Sequence, residues 1–302
     1  MYLLEQNTKK KYNLKNDVIF KTFFSRKGNE IFLIDFLEAL LKIKIEKIEI
    51  KEEVNLEKLA VEEKGGRLDL QAKLNNGVIV NIELQMKNYQ DIEERTTYYG
   101  AKIISRETER GEKYINLNKV IMINILGYNF LDFEEYISET EIVLKKHKEH
   151  EFIKGLKWYF IELPKFRKQN PNMDEKINQW LAFIDDYNKG AIEMAEKKNN
   201  TLRRARIEMD HLTGDEEVRR LAELREKWEM DYASGLDYAE KRGKIEAKTK
   251  IAQKLIELGV EDNKIIEATG LTKEEIEKIK EEQKSQKNKH FTKIVKCFNF
   301  IY

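Results

Sequence analysis

The sequence predicts an α/β protein followed by a helical extension, and three observations carry that prediction. Near the N-terminus apolar residues recur at helical spacing, at Ile19, Phe20, Phe23 and Phe24 and again at Ile31, Ile34, Leu37 and Leu41. Runs rich in Ile, Val and Leu follow, among them VIVNIELQM and KVIMINIL, the latter so nearly unbroken that it reads as a strand buried on both faces. Past Pro171 the composition turns to long charged helical stretches that reach about Ile279.

The first two helices have Asn16 and Asn29 where N-caps belong. IEKIEI and RLDLQAKL are strand-like, and the turn Asn75-Asn76-Gly77 leads into the next strand. From Tyr89 to about Thr108 the spacing predicts a helix with Ile92, Thr96, Tyr99 and Ile103 on one face. TEIVLKKH and LKWYFIELP read as further strands, the second ended by Pro164. The expected organisation is therefore an N-terminal domain over 1–171, a helical extension over 172–282 and a basic flexible tail over 283–302. Within the extension, IAQKLIELG, EDNKIIEATG and TKEEIEKIK form short helices broken at Gly259 and Gly270, with Thr272 as an N-cap.

Composition narrows the function. The chain has 302 residues, ample for a buried core. Lys and Arg number 56 against 55 for Asp and Glu, so net charge names no partner and any attraction to nucleic acid must come from a local patch. The single cysteine, Cys297, excludes an internal disulfide and any CxxC zinc or redox site, and fits a reducing compartment. No apolar run approaches the ~20 residues that span a bilayer, and charge interrupts MYLLEQNTKKKYNL too early for a signal peptide. The expectation is a cytoplasmic protein without a membrane partner. Neither GxxxxGK nor GxGxxG occurs, so nucleotide binding has no support.

The chemistry lies in one hairpin. If Asn75, Asn76 and Gly77 form a three-residue loop with Gly77 left-handed, Leu74 pairs with Val78, Asp69 with Glu83 and Arg67 with Gln85. Leu68, Leu70, Ala72, Leu74, Val78, Val80, Ile82, Leu84 and Met86 then share a wholly apolar face. A two-residue Asn76-Gly77 turn would slip the pairing by one residue and set apolar side chains opposite polar ones, so that register is rejected. Carboxylates directly across a ladder have Cβ atoms about 4.5–5.5 Å apart and repel each other unless something compensates. A divalent cation does so. Hard oxygen ligands suit Mg²⁺, which typically takes one or two carboxylates and keeps positions for water and a substrate phosphate, and that points to phosphodiester hydrolysis.

These residues carry a resemblance. GGRLDLQAKLNNGVIVNIELQ is similar to the active-site hairpin of the PD-(D/E)XK nuclease superfamily. With NDVIFK (Asn16 to Lys21), RLD (Arg67 to Asp69), IELQ (Ile82 to Gln85), Arg95 with Tyr98 and Tyr99, and KVIMINIL in that order, the chain resembles the superfamily's recombination-promoting nuclease and transposase family over roughly Asn13 to Pro164. TGLTKEEIEKI, Thr269 to Ile279, also resembles that family's C-terminal half. The resemblance implies a restriction-endonuclease-like mixed sheet flanked by helices. It implies a Mg²⁺-dependent DNA endonuclease, with Mn²⁺ as a substitute, acting in recombination or mobile-element biology. Asp69, Glu83 and the backbone carbonyl of Leu84 would hold the metal, and Gln85 would take the place of the superfamily's Lys. That replacement removes a charge, because Gln can hydrogen-bond the attacking water but offers no ammonium to the phosphate. Lys87, on the same strand face as Gln85 and Glu83, or Lys21 is the expected source of positive charge, and the alternative is a catalytically decayed nuclease fold that binds DNA or a protein partner.

Other features have plainer readings. Asp17 and Lys21, one turn apart, are candidates for contact with the active site, against the plainer reading of an ordinary helical ion pair. Arg67 and Lys73 are ion-pair neighbours for the two carboxylates, Tyr99 reads as core, and Arg95 stays open between phosphate contact and packing. His147 and His150 lack further ligands, and Trp158, Trp180 and Trp228 read as packing residues. TKEEIEKIK invites a helix-turn-helix reading, but Glu274, Glu275 and Glu277 would face phosphate, so homodimerisation through the C-terminal helices is preferred.

Overall fold

The computed structural model describes residues 11–51, 69–106, 113, 117–153, 155–186 and 188–298, with side chains as far as 285. It divides into two compact units, Met1–Lys227 and Trp228–Tyr302.

The first unit begins with helices α1 (Asp17–Ser25) and α2 (Glu30–Leu41). Asn16 caps α1 as its position suggests, its side chain accepting from the Ile19 N–H at 3.2 Å. Asn29 does not cap α2. Its amide donates back to the Phe23 carbonyl at 2.8 Å, and the Glu30 carboxylate takes the Gly28 N–H instead. Strands β1 (Ile48–Ile50), β2 (Leu70–Leu74) and β3 (Ile79–Gln85) follow, then helix α3 (Ile92–Arg106) and strand β4 (Val120–Leu126). After β5 (Ile137–Glu139), the segment expected as one strand at TEIVLKKH splits between β6 (Ile142–Leu144) and β7 (His147–Ile153), a separate hairpin that exposes His147 and His150. Strand β8 (Leu156–Glu162) completes the main sheet, whose order is β1-β2-β3-β4-β8-β5.

The sheet is mixed. β3, β4 and β8 run parallel at its centre, and β1, β2 and β5 pair antiparallel outside them. Parallel strands lie covered on both faces, which is why IVNIELQ and VIMINIL are so apolar. On one face Ala72, Val80, Ile82, Ile123, Ile125 and Ile161 pack with Phe20, Phe23, Phe24 and Phe36 of α1 and α2. On the other, Ile79, Val120 and Met122 meet Ile103 of α3, and Leu126 and Phe160 meet Ile92.

Pro164 sits in the first turn of α4 (Leu163–Lys168), where its missing N–H costs nothing. Helices α5 (Lys176–Asp185), α6 (Lys189–Lys198), α7 (Asn200–Gly214) and α8 (Glu216–Glu257) follow. The change of organisation expected at 171–172 falls between α4 and α5. Trp180, Phe183, Leu202 and Val218 beyond it lie in the same core as the sheet, because the apolar faces of these helices close over α1 and α2. Asp35 ties them together. Its carboxylate accepts from Trp180 Nε1 at 2.8 Å and Asn199 Nδ2 at 3.2 Å and pairs with Lys176 at 2.6 Å.

In the second unit, Ala252 of α8 packs with Ile265 of α9 (Asp262–Thr269) and with Leu271, Ile276 and Ile279, the last two on α10 (Lys273–Phe298). Gly259 and Gly270 close the turns with φ of +72° and +65°. Thr272 and Glu275 form a capping box, the carboxylate accepting from the Thr272 N–H at 2.7 Å and the hydroxyl from the Glu275 N–H at 3.3 Å. The α10 backbone stays helical to Phe298, through much of the stretch expected as a tail, since Lys, Gln and Glu are good helix formers and no Gly or Pro interrupts them.

Removing the carboxylate at Asp35 would strand a buried indole N–H and a buried amide. Asp35→Ala should cost about 2–4 kcal/mol, measured by chemical denaturation, and Asp35→Asn should cost less.

Candidate active site

The hairpin has the register its sequence implies. Leu70 pairs with Ile82 and Ala72 with Val80, the Gly77 φ is +81°, and the Leu74 N–H donates to the Val78 carbonyl at 2.8 Å. Asp69 immediately precedes β2, so the same register carries it across from Glu83. Side chains alternate along β3, which puts Asn81, Glu83 and Gln85 on one face with Asp69. Asn124 of β4 stands opposite Glu83 on that face. Asn81, Glu83, Gln85 and Asn124 are all at most 3% exposed. They form a polar band between the two apolar clusters that α3 covers.

Burying two carboxylates together has an electrostatic consequence. Asp69 is pushed up to about 7, first by burial and then by the charge of Glu83, against the opposing pull of Arg95, Lys21 and a hydrogen bond with Asn81. The residue as a whole is only partly buried, yet its Oδ1 is enclosed without a hydrogen-bond partner. Glu83 is neutralised from α3, where Arg95 Nε donates to its Oε1. The Arg95 guanidinium lies over the Tyr99 ring, 4.9 Å from its centroid. Lys21, buried on α1, is the second cation whose field reaches Asp69.

The remaining expected site residues lie as follows. Gln85 is the last residue of β3, and its Nε2 donates to the Lys87 carbonyl at 3.2 Å. Lys87 therefore lies beyond the strand, not on its face, because the pleat ends at Gln85. Leu84 alternates to the opposite side, toward the main core. Asp17 turns to Arg225 of α8, in a buried ion pair of 2.6 Å. Arg67 lies outside the described residues.

Sequence reasoning passed over several groups. Asn81 was legible from alternation with Glu83 and Gln85, and Asn124 as a lone polar residue inside KVIMINIL. Gly127, just after β4, approaches β3 so closely that a Cβ there would fall 2.7 Å from the Met86 carbonyl oxygen, and its N–H donates to the Gln85 carbonyl at 2.9 Å. Glu162 shares the band's face through Leu126, but Lys165 Nζ holds it at 2.7 Å and the Phe130 N–H at 2.5 Å, so its charge is already spent. Arg225 carried no local signal.

Among the described residues, no three His, Cys, Asp or Glu side chains converge as a metal cluster. The enclosed Oδ1 of Asp69 facing a second carboxylate nonetheless fits a hard divalent ion, which needs only one or two carboxylates when carbonyls and water supply the rest.

Comparison with known proteins finds two family profiles. The family profile described as PD-(D/E)XK nuclease family transposase matches residues 14–239. A second, described as Rpn/YhgA-like nuclease family, C-terminal HTH domain, matches residues 246–281. No curated protein and no solved structure matches. The second match corrects the weight given to TKEEIEKIK: α9 and the first part of α10 lie within a stretch similar to a helix-turn-helix domain. Glu275, one of the acids counted against that reading, is engaged in capping α10.

The Asp69 shift fixes a sign for metal-free protein. A carboxyl raised from 3.8 to about 7 makes the folded state bind more protons than the unfolded state, so stability falls as pH rises through that window. Asp69→Asn should melt close to wild type near pH 4 and clearly above it near pH 8, in thermal scans with chelator present.

Proposed function

The chain belongs to the PD-(D/E)XK nuclease family transposases, and from that premise we propose that it is a metal-dependent DNA endonuclease serving recombination or mobile-element movement. The observation that carries this reading is the buried face of the β2–β3 hairpin, where Asp69, Glu83 and Gln85 come together. Asp69, Glu83 and the Leu84 carbonyl would hold Mg²⁺, with Mn²⁺ as a substitute. When bound, such an ion lowers the pKa of a water and offsets charge on a phosphate. The protein's own groups do the rest. The Gln85 side-chain oxygen would accept from the attacking water and so orient it. Asn81 steadies Asp69, and the Gly127 contact together with the Glu162–Lys165 pair holds the strand ends that frame the site.

One observation favours the alternative, a catalytically decayed module that binds DNA or protein: Arg95 already neutralises Glu83. The readings part on metal binding. As an endonuclease, the purified protein should cut plasmid DNA with Mg²⁺, lose cleavage in Asp69→Ala and in Glu83→Ala while remaining folded, and slow at least about tenfold in Gln85→Ala with metal affinity kept. Full activity in Asp69→Ala would sink the assignment.

The helix-turn-helix unit is proposed to engage DNA, and the C-terminal helices to join two copies so that a two-fold axis sets one active site on each strand. We place the protein in the cytoplasm. No helix among the described residues is long and apolar enough to cross a membrane. Lys273 and Lys278 are exposed on α10. Replacing both by Glu should weaken DNA binding about tenfold at low salt, and less as salt rises. Fluorescence anisotropy measures this, and light scattering on the full chain tests the dimer.

A further inference from the structure

The site needs a positive charge at the phosphate that Gln85 cannot supply, and the structure offers a specific candidate. Arg95 reaches the polar band from α3 with three properties together. Its Nε donates to Glu83. Its Nη2 is buried and has no hydrogen-bond partner. Its guanidinium plane lies over Tyr99, 4.9 Å from the ring centroid. A guanidinium cannot shed its proton, so a buried donor left without an acceptor is a standing cost. A buried donor in that state is ready to receive an acceptor. The forked donor set of arginine matches the paired oxygens of a phosphate, and the aromatic surface leaves the group a place to pivot.

Charge limits what else can enter. The described ionisable groups that act on Asp69 are Glu83, Arg95 and Lys21, so two carboxylates stand against two cations. A divalent ion admitted alone would leave two surplus positive charges in a water-poor pocket. A phosphodiester and an attacking hydroxide together bring two negative charges and restore the balance.

We infer that Arg95 is an exchangeable counter-ion: it holds Glu83 in the metal-free protein and, once a divalent cation takes that carboxylate, turns to a non-bridging oxygen of the scissile phosphate and becomes a catalytic residue. The inference rests on the nuclease reading above. It gives Arg95 opposite effects on the two ligands. It competes with the metal for Glu83, and it assists the phosphate. A purely structural Arg95 would have no such split.

The test is a Mn²⁺ titration by calorimetry on the full chain at neutral pH, with cleavage of plasmid DNA read in parallel. Arg95→Ala should bind Mn²⁺ about tenfold more tightly than wild type, the worth of about one charged hydrogen bond. Its cleavage at saturating metal should be about a hundredfold slower. Its melting temperature should lie below wild type with chelator and rise more on adding Mn²⁺. Arg95→Lys, which keeps the charge, should recover part of the cleavage and return metal affinity toward wild type. Arg95→Gln, nearer the native volume, gives the same two readings if the alanine variant does not fold. Unchanged or weaker Mn²⁺ binding in a folded Arg95 variant, with wild type binding and cutting normally, overturns the exchange and leaves the nuclease reading standing. A wild-type chain that neither binds Mn²⁺ nor cuts DNA overturns both.

Discussion

Two carboxylates share one buried face of the central sheet, and much of the first unit answers to that constraint. Like charges opposite each other in a strand pair repel, and burial deepens the repulsion by removing the water that would screen it. The protein meets the problem by raising the proton affinity of Asp69 and by bringing cations from two separate elements, Arg95 from α3 and Lys21 from α1. Such an arrangement is poorly suited to a structural core, where apolar residues of similar volume would be at least as stable.

The surroundings cover that face and keep it in register. Apolar clusters lie on both sides of the polar band, around Met122 and Ile103 at one end and Leu126 and Ile92 at the other. The strand ends are fixed by backbone contacts as well as side chains, since Gly127 admits an approach to Met86 that any Cβ would block. Glu162 supplies a contrast within the same sheet. It is fully buried, and its lysine and backbone donors hold it as a structural anchor, whereas the partly buried Asp69 keeps an oxygen enclosed without a donor. Burial alone therefore does not decide whether a carboxylate is fully partnered.

The second unit works on a smaller scale. Its core is a handful of Ile, Leu and Ala side chains held by two left-handed glycines and a capping box. A unit of this kind depends on well-formed turns because it has little apolar area to bury. Glu275, whose charge counted against a recognition helix in the sequence, is one of the groups that defines where α10 begins.

What the sequence determined by itself was local. The hairpin register follows from Gly77 and strict alternation, because a one-residue slip would turn an entire apolar face to the wrong side. The Asn16 and Thr272 caps, the doubly buried β4 and the opposition of Asp69 to Glu83 come from spacings of a few residues, and so they were readable. Only the tertiary structure decided which cations answer those carboxylates, because Arg95 approaches from a helix whose own periodicity says nothing of the strand beneath it. It also decided that Asp17 faces Arg225, that Lys87 lies past the strand end and that the core continues through α5 to α8. Each of these depends on segments far apart in the chain meeting through packing, and periodicity records which side of an element is apolar but not which element covers it.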